Sequence, residues 1–302
     1  MGVFHIYFSL LGLMVPLMVV IGVGTAWVKL GHAFPAQFVT VLATSVTTPA
    51  LVFSTLVTTR LSNEVMASVA GATVLALALC MGVSALALRL CKLPVRKLLQ
   101  TTTFPNAGNL GLPVSYLAFG DAGLSTAIAF FAVSSFIQHT VGVRTLPSTH
   151  GMPPAWKSPI LIASLLAVAC RVFSYTPPRW IMESAELLGS MTVPLMLLGL
   201  GHALALIPAA GLKLGAIVSA VRLTAGLATG AAAAWLVGLP ADMIGNVALQ
   251  MGMPCAVVSY LYARRYTDMG DTAAGAVLIS TLAFLALAPF LLWLLGSAAA
   301  TP

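Results

Sequence analysis

The sequence predicts an all-α polytopic membrane protein, and three observations predict it. Hydrophobic residues make up 60% of the 302-residue chain and charged residues only 7%, where soluble domains carry roughly 25% charged residues. Mean hydropathy is +1.03. The apolar runs are continuous, whereas a transmembrane β-barrel would alternate apolar and polar residues over ~10-residue segments. Finally, one of these runs is broken at its middle by Phe104 to Pro113 (F-P-N-A-G-N-L-G-L-P), and a second proline-broken run recurs in the other half of the chain.

Ten spans can be read in order, at roughly 5–27, 35–58, 66–90, 98–119, 123–145, 158–174, 181–206, 213–237, 243–263 and 273–296. They form a single integral membrane domain over 1–302. The connections are short. The longest, near 146–157, is Pro-rich and sits close to mid-chain. It divides the chain into 5–145 and 158–296, each with five spans. Pro49 and Pro113 in the first half are 64 residues apart, and Pro194 and Pro254 in the second are 60 apart. An odd number of spans per half makes the second half enter from the opposite face, which is an inverted-topology repeat.

Charge sets the expected orientation. Ten Lys and Arg residues fall on connections after odd-numbered spans and three (Arg60, Arg171, Arg179) on those after even-numbered spans. Basic loops stay in the cytoplasm, so both termini are expected outside it, with the chain in a bacterial inner (plasma) membrane. The net charge of +7 is spread over short loops and excludes nucleic acid as a partner. No basic n-region opens the chain, so a cleaved signal peptide is not expected. Cys80, Cys91, Cys170 and Cys255 stand singly, without the spacing of a metal site or a disulfide framework. They read as small packing residues.

The broken fourth span carries the strongest chemical signal. Leu98 to Gly120 is uncharged and long enough to cross a bilayer. Pro105 and Pro113 remove backbone donors, and Gly108 and Gly111 loosen the helix. A break at this depth survives only where it is buried in protein or lines a watery cavity. Asn106 and Asn109 place amides there, and half-helices meeting at the midplane are how many secondary transporters build a substrate site. A proline-kinked structural helix with asparagine caps is the alternative. In the ninth span Asn246 and Gln250 are four residues apart on one helical face that leads to the break at Pro254. They either line the site or bond neighbouring helices.

Arg222 lies about nine residues into the eighth span, roughly 13 Å deep, where an arginine costs about 2.5–3.5 kcal/mol on insertion scales. It contacts an anionic substrate, bonds carbonyls freed by the broken helices, or snorkels to the inner face. Ser45, Thr47 and Thr48 beside Pro49 are expected to satisfy freed carbonyls of their own helix. Gln138 and His139 lie near the inner end of the fifth span, and His139 is a candidate proton carrier. Glu183 and Glu186 are expected to be solvated, and Asp121, Asp268 and Asp271 to cap turns and helix starts. No acidic residue sits at the centre of any span, which favours an anionic or polar substrate over a cationic one.

These motifs resemble the auxin efflux carrier family, which includes plant PIN-FORMED proteins and bacterial malonate or malate carriers. F-P-N-A-G-N-L-G-L-P is similar to the family's fourth-helix signature. T-T-P-A-L-V-F, K-S-P-I-L-I-A, V-P-L-M-L-L-G-L and M-P-C-A-V-V-S-Y-L-Y-A-R-R-Y resemble its second, sixth, seventh and ninth helices, and L-I-S-T-L its tenth. Ser158 stands where the family's sixth helix opens with Asn. The resemblance implies ten helices as two inverted five-helix repeats, similar to the bile-acid symporter architecture. Helices 1, 2, 6 and 7 would form a scaffold and the rest a transport domain in which broken helices 4 and 9 cross. Asn106, Asn109, Pro113 and Pro254 carry over by motif position. The plant members' long loop between helices 5 and 6 has no room at 146–157.

The expected function is a secondary carrier of a small organic anion, a mono- or dicarboxylate such as malonate or malate, working by alternating access. The residues expected at the substrate are Asn106, Gly108, Asn109, Pro113, Asn246, Gln250, Pro254 and Arg222, and the helix breakers are Pro105, Gly111, Pro113 and Pro254. No metal or cofactor is expected beyond a coupling proton or sodium ion, and the expected partners are the anion and the lipid bilayer, with a homodimer left open. A sodium-coupled symporter of the bile-acid type is the alternative. An intramembrane enzyme would need facing His, Asp, Glu or Cys groups at membrane depth, and the sequence supplies no such set.

Overall fold

The computed structural model describes residues 3–59, 61–147, 157–206 and 211–299. Arg60, most of the connection near 146–157, and the side chain of His139 lie outside what is described, so the expectations attached to them are not addressed. The described residues are almost wholly helical. Thirteen α-helices run as α1 (Val3–Lys29), α2 (Ala36–Leu42), α3 (Thr48–Thr58), α4 (Asn63–Leu90), α5 (Val95–Thr103), α6 (Leu112–Ile137), α7 (Pro159–Val172), α8 (Arg179–Ser190), α9 (Thr192–Ala205), α10 (Leu212–Val237), α11 (Ala241–Met251), α12 (Val257–Tyr266) and α13 (Gly270–Ala299). Three wider π-helical turns, Ala43–Thr47, Ala107–Gly111 and Gln138–Gly142, join or extend them.

Local sequence explains the ends and the interruptions. Ser62 caps α4 by accepting the Val65 N–H at 3.2 Å, and Glu64 and Arg89 sit at the ends that suit the helix dipole. Gly238 closes α10 with φ 77°, a left-handed conformation that costs glycine nothing. Two of the π-turns end just before a proline, Pro49 and Pro113. A proline ring collides with the carbonyl four residues earlier, and a wider turn moves that carbonyl aside. The expected hydroxyl solution at Pro49 is not used: the Thr47 and Thr48 hydroxyls are buried without a partner, and Ser45 faces outward. The expected seventh span is two helices, α8 and α9, meeting at Met191. Pro194, in the first turn of α9, prevents a continuous ladder there. Asp121 lies where expected, at a turn and a helix start: Gly120, with φ 63° and ψ −153°, interrupts α6, and Asp121 opens the helical stretch that follows.

Five segments are long and apolar enough to cross a membrane: Asn63–Leu90, Ala107–Gly142, Arg179–His202, Leu212–Val237 and Gly270–Leu295. Many large apolar side chains point outward along them and their neighbours, among them Leu90, Leu165, Leu166, Trp235 and Leu287. A water-soluble protein does not expose such continuous apolar surface, and the chain is an integral membrane protein.

The helices pack in two groups. In one, α1 lies along α9, α2 touches α9, and α3 packs on α7 and α8. Glycines permit the closest approach: a Cβ on Gly24 would collide with the Leu198 carbonyl and one on Gly201 with that of Ile21. The Thr25 hydroxyl donates to Gly201 O at 2.9 Å across the same seam. In the other group α10 is central, packed against α4, α11 and α13, while α6 lies against α4 and α11, and α12 against α13.

A surface ion pair ties two ends of the second group. Lys97 Nζ, on α5, donates to both carboxylate oxygens of Asp268, between α12 and α13, at 2.7 and 2.8 Å. That hydrogen bond holds the Asp268 carboxyl below its ordinary value of 3.8. A depressed carboxyl stabilises the fold above its ordinary value and loses that contribution as pH falls through the lowered one. Exposed pairs contribute little. Lys97→Met is therefore expected to leave the melting temperature at pH 7 within a degree or two, with the difference from wild type shrinking further below pH 4.

Candidate functional site

The two broken stretches meet. Pro105 stands opposite Cys255 in an antiparallel bridge. The Asn106 N–H donates to Pro254 O at 2.8 Å, and the Ala256 N–H donates to Phe104 O at 3.2 Å. These few extended residues, all buried, satisfy one another. The prolines fit this pairing. Pro105 occupies the position whose own N–H would point out of the ladder, so its missing donor costs no bond. Its counterpart Cys255 gives that outward N–H to Ser280 Oγ at 3.0 Å. Pro254 has no N–H to offer Asn106 O, which instead accepts from Leu110 and Gly111 at 3.3 and 3.1 Å and starts the π-turn.

Each break leaves carbonyls at a helix C-terminus. Arg222, fully buried on α10, takes both sets. Its Nη1 donates to the Thr102 and Thr103 carbonyls that end α5, and its Nη2 donates to Met251 O, which ends α11. Ser84 Oγ donates to Thr102 O as well, at 3.3 Å, and Cys80 Sγ lies 3.6 Å from Nη1. Gly226 makes room, since a Cβ there would collide with Nη2 and with Met251 O. Of the three fates open to Arg222 from sequence, the structure gives it carbonyl binding; its Nη groups are spent on the protein. All seven acidic residues (Glu64, Asp121, Glu183, Glu186, Asp242, Asp268, Asp271) are exposed, so none is its counter-charge. Two helix C-termini of about −0.5 charge each fill that role. The half-helices that start beyond the breaks keep their positive ends.

Asn246 and Gln250 lie on one face of α11, and both reach Ser115 on α6. Asn246 Nδ2 donates to Gly123 O at 2.7 Å, Ser115 Oγ donates to Asn246 Oδ1 at 2.9 Å, and Gln250 Nε2 donates to Ser115 Oγ at 2.9 Å. Gln250 Oε1 is buried without a partner, as is Asn106 Nδ2. Gln250 rests against Gly111, where a Cβ would strike its amide. Gly108 lies under Phe131 and near Met196 of α9. Asn109 is half-buried on the π-turn, and Pro113 is buried at the start of α6.

Asn246 also lines a cavity of about 140 Å3 with Phe119, Gly123, Thr126, Asp242 and Met243. A larger space, about 400 Å3, lies away from the crossing beside Arg171 and Tyr175. There Arg171 is occupied by the Leu56, Thr59 and Leu61 carbonyls and by Asn63. Among the described residues no group of His, Cys, Asp and Glu is arranged to hold a metal.

Sequence reasoning placed the breaks and the two-amide face but gave no role to Ser115, Ser84, Ser280 or Gly226, and read Cys80 only as a packing residue. Ser115 follows Pro113 by two residues, and a hydroxyl one turn into a helix beyond a break is a signal that was available. The others lie on helices remote in sequence, and nothing local marks them.

Residues 152–293 match a family model described as a membrane transport protein. A probable auxin efflux carrier component 1c from Oryza sativa subsp. japonica is 28% identical over 166 residues, which are 54% of this chain and 28% of that relative. Most of the relative's length therefore lies outside the match.

Proposed function

We propose that the chain is a membrane transporter of the auxin efflux carrier type, as its similarity to that family supports, and that it is a secondary carrier moving a small carboxylate, such as malonate or malate, by alternating access. The observation that carries this is the crossing of the two breaks over Arg222. Arg222 offsets the negative ends of α5 and α11, so the positive ends of the π-turn at 107–111 and of α12 are left to draw an anion. Asn106, Asn109 and Gln250 lie on or against that π-turn.

Ten crossings in two inverted repeats account for the packing. Under that scheme α1 on α9 corresponds to α7 on α3, and α10 against α13 corresponds to α4 against α6; both members of each pair occur. The group containing α1, α3, α7, α8 and α9 would stand still while the group around α10 carries the crossing from one face to the other. Both termini would lie outside the cytoplasm. The membrane potential favours anion export by about 2.3 kcal/mol per charge per 100 mV, so uptake requires a coupled cation.

Purified protein heated with acetate, benzoate, malonate or malate, with and without sodium, tests this. A carboxylate at 100 times its Kd stabilises the native state by about 2.7 kcal/mol, a clear rise in melting temperature. Asn109→Ala should remove that rise while leaving the unliganded melting temperature unchanged. A rise that appears only with neutral or cationic solutes would sink the carboxylate assignment.

A further inference from the structure

Six cations collect at one end of the helix group around α10. Arg89 lies in the last turn of α4 and Lys92 just beyond it, Arg96 and Lys97 lie in the first turn of α5, and Arg264 and Arg265 lie in the last turn of α12. The fold brings these stretches, far apart in sequence, onto one surface. Leu93 and Val95 pack in one apolar cluster with Tyr260 and Met269. Lys97 reaches Asp268 at 2.7 Å, and the Cβ that Gly270 lacks would lie 3.0 Å from Arg264 Cα. Residues 89–97 and 264–271 hold six cations against two carboxylates, Asp268 and Asp271, a net charge of +4. The opposite end of the same helix group exposes Glu64, Asp121 and Asp242, and among the described residues it has no Lys or Arg.

The fold itself does not call for this charge. Arg96 and Lys97 stand where the helix dipole disfavours cations, and the first turn of α5 has no acidic residue. Among the described residues Lys97 alone of the six is paired with a carboxylate. Two of the others are held by tyrosines instead. Arg264 Nη1 donates to Tyr260 Oη at 2.7 Å, and Arg265 lies over the Tyr266 ring, its Cζ 5.3 Å from the centroid. Both arginines are exposed and keep N–H groups for the oxygens of a phosphate. Leu90, beside Arg89, is 75% exposed, so apolar surface begins where the cations end.

We infer that this end of the protein docks on the phosphate headgroups of anionic phospholipids, with Leu90 against their acyl chains. Clusters of four to eight Lys and Arg beside a membrane helix are what an anionic leaflet attracts, and tyrosine belongs at headgroup level. A soluble anion would meet the same charge but would have no use for the apolar rim. The docking bears on the crossing. α5 runs from this surface to the first break, α12 runs back to it from the second, and the two helices touch. Lipid held here offsets the cations at the start of α5 and steadies both half-helices on one side of the crossing.

The test is binding of a fluorescent phosphatidylglycerol to the whole purified protein in uncharged detergent, with phosphatidylcholine of the same chain length as competitor. Phosphatidylglycerol should bind more tightly and raise the melting temperature, and its advantage should disappear in roughly 1 M salt, where charges are screened beyond about 3 Å. Each cation near an anionic surface contributes about fivefold in affinity, about 1 kcal/mol. Arg96→Gln, Arg264→Gln and Arg265→Gln together should therefore weaken phosphatidylglycerol binding on the order of 100-fold. The lipid-free melting temperature should not change, because all three side chains are exposed. Should the triple variant fail to fold, Arg265→Gln alone should cost about fivefold, while Arg179→Gln, an exposed cation on the other helix group, should cost nothing. Lysine at the same three positions should keep most of the affinity. A loss with lysine equal to that with glutamine overturns the assignment, as do equal affinities for the two lipids. Displacement of the lipid by glycerol 3-phosphate or malonate at concentrations where chloride has no effect would make this a surface for soluble anions, and that also overturns it.

Discussion

Arg222→Met is expected to unfold the crossing. The substitution keeps the apolar stem and removes the donors that serve Thr102 O, Thr103 O and Met251 O. Hydrogen bonds to a charged group contribute about 1.5–3 kcal/mol each, and carbonyls left bare at membrane depth have no water to turn to. The two helix C-termini would also repel each other across a short gap. A loss of at least about 3 kcal/mol follows, read as a fall in melting temperature in detergent and as lost transport in vesicles. Arg222→Lys should fall between, since an ammonium supplies the charge but not the planar fork. Gly226→Ala should resemble the methionine variant, because its Cβ would claim the space of Nη2 and of the Met251 carbonyl. A methionine variant as stable as wild type would show that the crossing does not depend on this residue.

Gly111→Ala is expected to do the reverse, sparing the fold and removing the function. The methyl would collide with Gln250 Oε1 and press on its Cδ and Nε2, both 3.0 Å from the added carbon. Those atoms end a flexible side chain, so the amide can swing away at small cost to stability. It cannot do so and keep its bond to Ser115 Oγ. With the amide displaced, carboxylate binding should weaken by about five- to tenfold, which is the loss of one hydrogen bond of about 1–1.4 kcal/mol. The melting temperature without ligand should stay close to wild type. Unchanged binding would mean that Gln250 is not at the ligand.

How far the sequence could be read differs from residue to residue. Helix positions followed from apolar runs and caps, and the breaks from Pro105, Pro113 and Pro254, whose missing donors act on their own segment. The shared face of Asn246 and Gln250 follows from four-residue spacing alone. Arg222 was visible as an expensive residue in an apolar helix, but three fates remained open, because its partners belong to α5 and α11. Thr47 and Thr48 show the opposite failure. Hydroxyls next to a proline are expected to satisfy its helix, and the π-turn at Ala43–Thr47 absorbed the clash instead.

The sequence by itself determined that this chain is helical, membrane-embedded, and interrupted at two matching places, since chain geometry and burial in lipid depend on each residue and its near neighbours. The tertiary structure alone decided that the interruptions bond to each other, that Arg222 spans both, and that Ser115 sets which end of Gln250 is free. Those outcomes depend on where separate helices cross, and a hydrogen bond between residues more than a hundred positions apart leaves no trace in local composition.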